Sequence, residues 1–269
     1  MSSASKALEL LSLFSKAKPE IGLSEMCRLA NRDKATTYRH LQVLEKAGFV
    51  EQIVTSKNYR LGPALLQLGR MREATVPRTA GAESAIATLA EKTGETVHVT
   101  VLSGLTLFAL MSRESLRHST RAVIDITTFP LHATASGICA VTFGPDELFA
   151  EACDNFKAFT DLTPMTAEAL ETLIVTARTS GIGRSIGRFE KEINSLSAPI
   201  FDQTGQFAGA VSVASVASRF TPELEDTIRT ELITASREIT KSWGGVIPSV
   251  IEKAWSGAMS SHQELDTSS

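Results

Sequence analysis

The sequence predicts a mixed α/β chain in two parts, a small helical head ending in a β-ribbon and a larger α+β body. Three observations predict this. Residues 1–62 contain two short helical segments separated by the turn Asn31-Arg32-Asp33 and followed by paired strand-like runs. From Pro77 to Trp243, helical and strand-like periodicities alternate irregularly, as they do where helices flank an antiparallel-looking sheet. The charge is also divided: the head holds ten Lys/Arg against six Asp/Glu, a net +4, and the remainder holds 17 against 24, a net −7.

In chain order, Leu8, Leu11 and Phe14 recur at helical spacing. Ser24 is a good N-cap for a helix of about two turns reaching Ala30. Asp33 can cap the next helix, Lys34 to Ala47, which Gly48 terminates. Phe49-Val50, Ile53-Val54 and Tyr59-Arg60-Leu61 flank the polar tip Thr55-Ser56-Lys57-Asn58 and read as a hairpin. Two helices, a tight turn and a ribbon make a winged helix-turn-helix over 1–62. Pro63 opens a linker helix within 63–75, and a helix from Pro77 to Thr93 begins the body, 76–247. Strands are expected at 96–102, 105–111, 196–201 and 207–217, with helices at 133–143, 145–153, 166–180 and 222–243. The polar tail, 248–269, is expected to be disordered.

The bulk composition narrows the class. With 269 residues, 43% hydrophobic and 21% charged, the chain has an ordinary soluble composition. Its start interleaves charges with leucines, unlike a signal peptide, and no apolar run approaches the roughly 20 residues of a membrane helix. Cys27, Cys139 and Cys153 are few and far apart, with no C-x-x-C, which fits a reducing cytoplasm. No membrane partner and no cofactor are expected.

A basic head on an acidic body suggests that only the head meets a polyanion. On a helical wheel centred on Leu41, Leu44, Thr37 and Tyr38 fall toward the buried side. Thr36, Arg39 and Val43 fall opposite, with Ala35, His40 and Lys46 on the flanks. Guanidinium, hydroxyl and methyl groups are what the major groove reads, Arg gripping guanine and Thr touching a thymine methyl. Lys34 and the first N–H groups of the helix suit a phosphate, as do Lys57 and Arg60 on the wing. The expected DNA-facing set is therefore Lys34, Ala35, Thr36, Thr37, Arg39, His40, Lys57 and Arg60.

The stretches "GLSEMCRLANRDKATTYRHLQVLEKAGFV" and "YRLGPALLQLG" resemble the DNA-binding region of IclR-type bacterial transcriptional regulators. Further on, "TGETVHVTVL", "RES", "FPLHATASG" and "APIFDQTGQFAGAVSVASVASRF" match that family's effector domain in order and spacing. The resemblance spans about residues 4–243. It implies a GAF-like α+β effector-binding domain and operator binding to double-stranded DNA as a homodimer or homotetramer. It also implies that a small molecule, an organic acid or aromatic compound, modulates DNA affinity. Carried over motif by motif, the effector pocket would comprise Ala135, Ser136, Ser185, Ile193, Ser195, Ser212 and Ala214, with the segment around Ser185 as a loop lining or covering it. The sequence departs from the family at Gly187-Arg188, Glu192 and Ile138, and at Arg32, which stands in place of an apolar turn residue and either alters the turn's packing or adds a phosphate contact.

One motif points elsewhere. Gly183-Arg184-Ser185-Ile186-Gly187 spells the nucleophile elbow of α/β-hydrolases. That elbow needs a strand before the serine, a helix after it and a later histidine; the preceding residues look helical and only His262, in the tail, follows. A serine hydrolase is the rival reading, and no catalytic residue is expected. His98 and His132 read as hydrogen-bonded core residues, with no metal expected, and Gly181-Ile182-Gly183 lacks the spacing of a dinucleotide loop.

Overall fold

The computed structural model describes the backbone of residues 3–15, 17–114 and 117–266, with side chains as far as Gly257. The chain divides into two units, Met1–Pro77 and Arg78–Ser269.

The first unit contains α1 (Ser3–Leu11), β1 (Glu20–Ile21), α2 (Leu23–Ala30), α3 (Lys34–Lys46), β2 (Val50–Gln52), β3 (Tyr59–Leu61) and α4 (Pro63–Thr75). Leu10, Ile21, Met26, Leu41, Leu44, Val50 and Tyr59 form its core. α2 ends at Asn31, which adopts the left-handed conformation at φ 50°, and Asp33 opens α3 by accepting the Thr36 N–H at 2.8 Å. The expected hairpin is one strand larger. Ile21 pairs with Tyr59, giving an antiparallel sheet in the order β1-β3-β2. Arg32 settles as a packing residue: Nη1 donates to the Lys6 carbonyl at 2.6 Å and Nη2 pairs with Glu9, clasping α1 to the turn.

The second unit runs α5 (Arg78–Thr93), β4 (Thr96–Ser103), β5 (Thr106–Arg113), α6 (Ala135–Phe143), α7 (Glu147–Asp154), α8 (Ala167–Ser180), β6 (Gly183–Ile186), β7 (Ile193–Phe201), β8 (Phe207–Val216), α9 (Pro222–Ser242) and α10 (Ser249–Asp266). Its five strands form one antiparallel sheet, β5-β4-β8-β7-β6. One face is aliphatic: Val97, Val99, Leu196, Ala198, Val211 and Val213 pack on Ile86 and Leu89 of α5 and on Ile228, Leu232 and Ile239 of α9. The opposite face is small and polar, because register aligns His98, Ser212 and Ser197 on one rung and Thr96, Ala214, Ser195 and Ser185 on the next. α6 lies so close to that face that a Cβ on Gly183 would sit 2.4 Å from the Ala135 carbonyl.

Two segments differ from the sequence expectation. Residues 183–186 are not loop but the edge strand β6, paired with β7; the chain turns only at Gly187, where φ is 60°. The tail is not disordered through 249–257. It forms α10, which places Ile251 and Trp255 in the main core, the Trp255 indole donating to the Gly181 carbonyl at 2.9 Å. Residues 267–269 of that tail lie outside the described residues.

Candidate functional site

Two sites follow from these elements, one in each unit. In the first, the buried residues of α3 are Thr37, His40, Leu41 and Leu44. That stripe is centred about 50° round from Leu41 toward His40, at 100° per residue. The offset corrects the placement of His40 and Tyr38, and burial removes Thr37, which the wheel already turned inward, from the DNA-facing set. Thr37 is fully buried and donates to the Asp33 carbonyl at 2.9 Å, and His40, 7% exposed, faces Ser3 Oγ at 3.3 Å, so neither side chain reaches a base edge. Tyr38, expected inside, is 45% exposed. Lys34, Ala35 and Arg39 are exposed and Thr36 half-buried; Gln42, missed from sequence, is exposed as well. On the wing Lys57 and Arg60 are exposed, Arg60 donating to Glu51 at 2.5 Å across the strand pair.

The start of α3 is already capped. The Asp33 carboxyl is held below its usual range, chiefly by the hydrogen bond from the Thr36 N–H, and so occupies part of the anion site expected for phosphate. Since the native value is depressed, the cap is fully present above the unfolded carboxylate value of about 3.9 and is lost as pH falls through the lower native value. The Thr36 amide resonance is expected to report that titration, and a midpoint at or above the unfolded value would contradict the cap.

The second site is a cavity of about 50 Å3 between α6 and the sheet. Ala135, Ser185, Ile193, Ser195 and Ala214 of the expected set line it, and so do Thr134, His98, Phe129 and Phe189. Its remaining wall is the 122–126 segment, Ala122-Val123-Ile124-Asp125-Ile126, together with Glu190. That segment is tied down by Thr96 Oγ1, which donates to the Ala122 carbonyl at 2.7 Å, and by Arg219, which donates to the Thr120 carbonyl at 2.9 Å. Sequence reasoning passed over it, although its short, mostly apolar and β-branched run was a usable sign of an extended wall.

Ser136 and Ser212 do not line the cavity; they are buried beside it in a hydroxyl chain. Ser197 Oγ donates to the Val211 carbonyl at 3.2 Å and Ser212 Oγ donates to Ser197 Oγ at 2.8 Å. Ser212 has one hydroxyl proton and gives it to Ser197, so Ser136 donates to Ser212 across 2.7 Å. By the same count, His98 Nε2–H donates to Ser136 Oγ at 3.1 Å. His98 is thus the Nε2–H tautomer, stacked on Phe129 at 4.8 Å, and burial pushes its pKa down to about 4. Ser185 donates to the Ala133 carbonyl at 2.7 Å from the middle of a strand, so no elbow exists there. His132 Nε2 lies 2.9 Å from the Lys157 carbonyl and 3.2 Å from the Lys157 N–H, and Cys139 is buried, its thiol pKa pushed up by burial.

A helix-turn-helix head with an exposed, arginine-bearing helix, joined to a cavity-bearing α+β unit, defines a DNA-binding transcriptional regulator. Comparison with known proteins agrees: residues 3–53 match the IclR helix-turn-helix domain and residues 79–241 the C-terminal domain of bacterial IclR transcriptional regulators. The chain is 30% identical over 244 residues to the glycerol operon regulatory protein of Streptomyces coelicolor, covering 89% of this chain and 94% of that one. An IclR transcriptional regulator of Silicibacter sp. TM1040 superposes with a TM-score of 0.85 at 36% identity, covering 93% of this chain and 99% of the other. An IclR homologue from Microbacterium hydrocarbonoxydans, solved with 4-hydroxybenzoate, shares the fold with a TM-score of 0.74 at 20% identity, covering 90% and 99%. The chain belongs to the IclR family. Its relatives are transcriptional regulators rather than enzymes, and no helix among the described residues is long and apolar enough to cross a membrane.

Proposed function

We propose that this regulator binds operator DNA through the exposed face of α3 and that a small organic effector in the α6 cavity sets its DNA affinity. The observation that carries the reading is Arg39, an exposed guanidinium on the second helix of the helix-turn-helix, with Ala35, Tyr38 and Gln42 beside it on the same face. Arg39 grips guanine, Gln42 suits adenine, and Lys34, Lys57 and Arg60 contact phosphates. The head acts in pairs, as a homodimer or homotetramer reading half-sites about one helical turn, roughly 34 Å, or a multiple of it apart. Ala135, Ser185, Ile193, Ser195 and Ala214 contact the effector, while Ser136 and Ser212 set the orientation of His98 behind it. A relative named for a glycerol operon, and the binding of 4-hydroxybenzoate by a protein of the same fold, support a small organic ligand. The effector shifts DNA affinity by no more than its differential affinity for two arrangements of the protein, about 1–3 kcal/mol.

Arg39→Ala is expected to cost about 1–3 kcal/mol of operator discrimination, roughly 5- to 150-fold, with little change in binding to random duplex. Competition titrations of operator against random DNA measure the ratio. An unchanged ratio would remove Arg39 from base readout.

A further inference from the structure

We propose that His98 Nδ1 accepts a hydrogen bond from a hydroxyl of the effector, which makes that effector a small uncharged hydroxyl compound rather than a carboxylate. The inference rests on the cavity being the effector site and adds what that site selects.

The hydroxyl chain fixes the imidazole. With Nε2–H committed to Ser136, the other ring nitrogen presents a lone pair, and among the described residues Nδ1 has no hydrogen-bond partner. His98 is 5% exposed and lines the cavity, so this acceptor is desolvated and waits for a donor there. The neutral ring holds no second proton to offer an anion, since burial depresses its pKa to about 4. The ionisable residues around the cavity add to the discrimination: besides His98 they are Asp125 and Glu190, and no Lys or Arg is among the described lining residues. A carboxylate set against Nδ1 would meet a lone pair, with no Lys or Arg among the described lining residues to offset its charge.

A donor sits at the start of α6, the helix that also carries the Ser136 partner of His98. Thr134 Oγ1 accepts the Gly137 N–H at 2.9 Å, which leaves the N–H of Ala135, the first residue of α6 and one that lines the cavity, without a partner inside the helix. An acceptor beside a donor suits a hydroxyl, which both gives and takes a hydrogen bond; a carboxylate could take from the N–H but has nothing to give Nδ1. Phe129, Phe189, Ile124 and Ile193 supply an apolar surround for the rest of the molecule.

The test uses the full chain with 15N-labelled histidine and four probes: phenol against toluene, and glycerol against glycerate. At least one hydroxyl probe of the two, phenol or glycerol, is expected to move the His98 Nδ1 resonance upfield at millimolar concentration and to bind at least about tenfold more tightly than its counterpart. His98→Gln keeps a donor to Ser136 but offers no acceptor at the Nδ1 position, and should erase the preference for phenol over toluene, the pair that differs in the hydroxyl alone. The wild-type resonance gives the answer even if this variant folds poorly. Ser195→Leu fills the cavity and tests the underlying reading separately. If Ser195→Leu abolishes binding but Nδ1 does not move and the paired probes bind alike, the hydroxyl assignment is overturned and the cavity stands. If binding survives Ser195→Leu, the cavity itself is the wrong site. If neither phenol nor glycerol binds, the proposal is likewise overturned.

Discussion

Trp255→Ala is expected to destabilise the C-terminal unit by about 3–5 kcal/mol, among the largest losses any single truncation in this chain should cause. The indole is fully buried in the main core, within a helix that composition alone marks as a dispensable tail. Its loss removes apolar burial and also frees the Gly181 carbonyl at the end of α8, where the chain turns with φ at 70°. The packing there is tight enough that a Cβ on Gly181 would lie 2.5 Å from the indole. Arg237 lies over the ring at 5.3 Å and pairs with Glu252, fastening α10 to α9. Urea unfolding of the full chain measures the effect, and truncation after Pro248 should reproduce it. A loss below about 1 kcal/mol would mean that α10 is only laid against the surface.

Arg219→Ala should cost a similar amount, about 3–5 kcal/mol, by a different route. Glu95 is 1% exposed and both its oxygens accept from Arg219 at 2.9 Å. Removing the guanidinium leaves a buried carboxylate without its counter-charge, which is far more costly than the pair is stabilising. It also releases the Thr120 carbonyl, and with it one anchor of the 122–126 wall. The variant is therefore expected to lose effector binding along with stability. Adding Glu95→Gln should recover part of the stability, because the uncompensated charge disappears. If the single variant unfolds at the wild-type denaturant midpoint, Glu95 is solvated in solution and the anchor is unimportant.

The sequence reveals most where a local signal coincides with the packing. Asp33, Gly48 and Pro63 mark boundaries by backbone chemistry alone, and the structure places α3, its end and α4 accordingly. β1 and β6 are legible only through their partners: two and four residues carry no periodicity, and Arg184 on β6 points to solvent to pair with Glu225. α10 did show a sign, since Ile251 and Trp255 stand one helical turn apart, but the polar residues between and after them mask it. On α3 the wheel centred on Leu41 misplaces Tyr38 and His40 because burial extends toward α1, where His40 meets Ser3. In the cavity, the serines come from family resemblance rather than from any pattern. What resemblance does not separate is lining from support: five of the seven expected residues line the cavity, while Ser136 and Ser212 orient a histidine that was read as an ordinary core residue.

The central claim is that α3 reads sequence in duplex DNA. Titration of the purified chain against the promoter region of its own operon and against scrambled duplex, across a salt series, tests it most directly. The account predicts a preference of about a thousandfold or more for one site in that region, with both affinities falling as salt rises. Equal affinities for promoter and scrambled duplex at every salt concentration would contradict it.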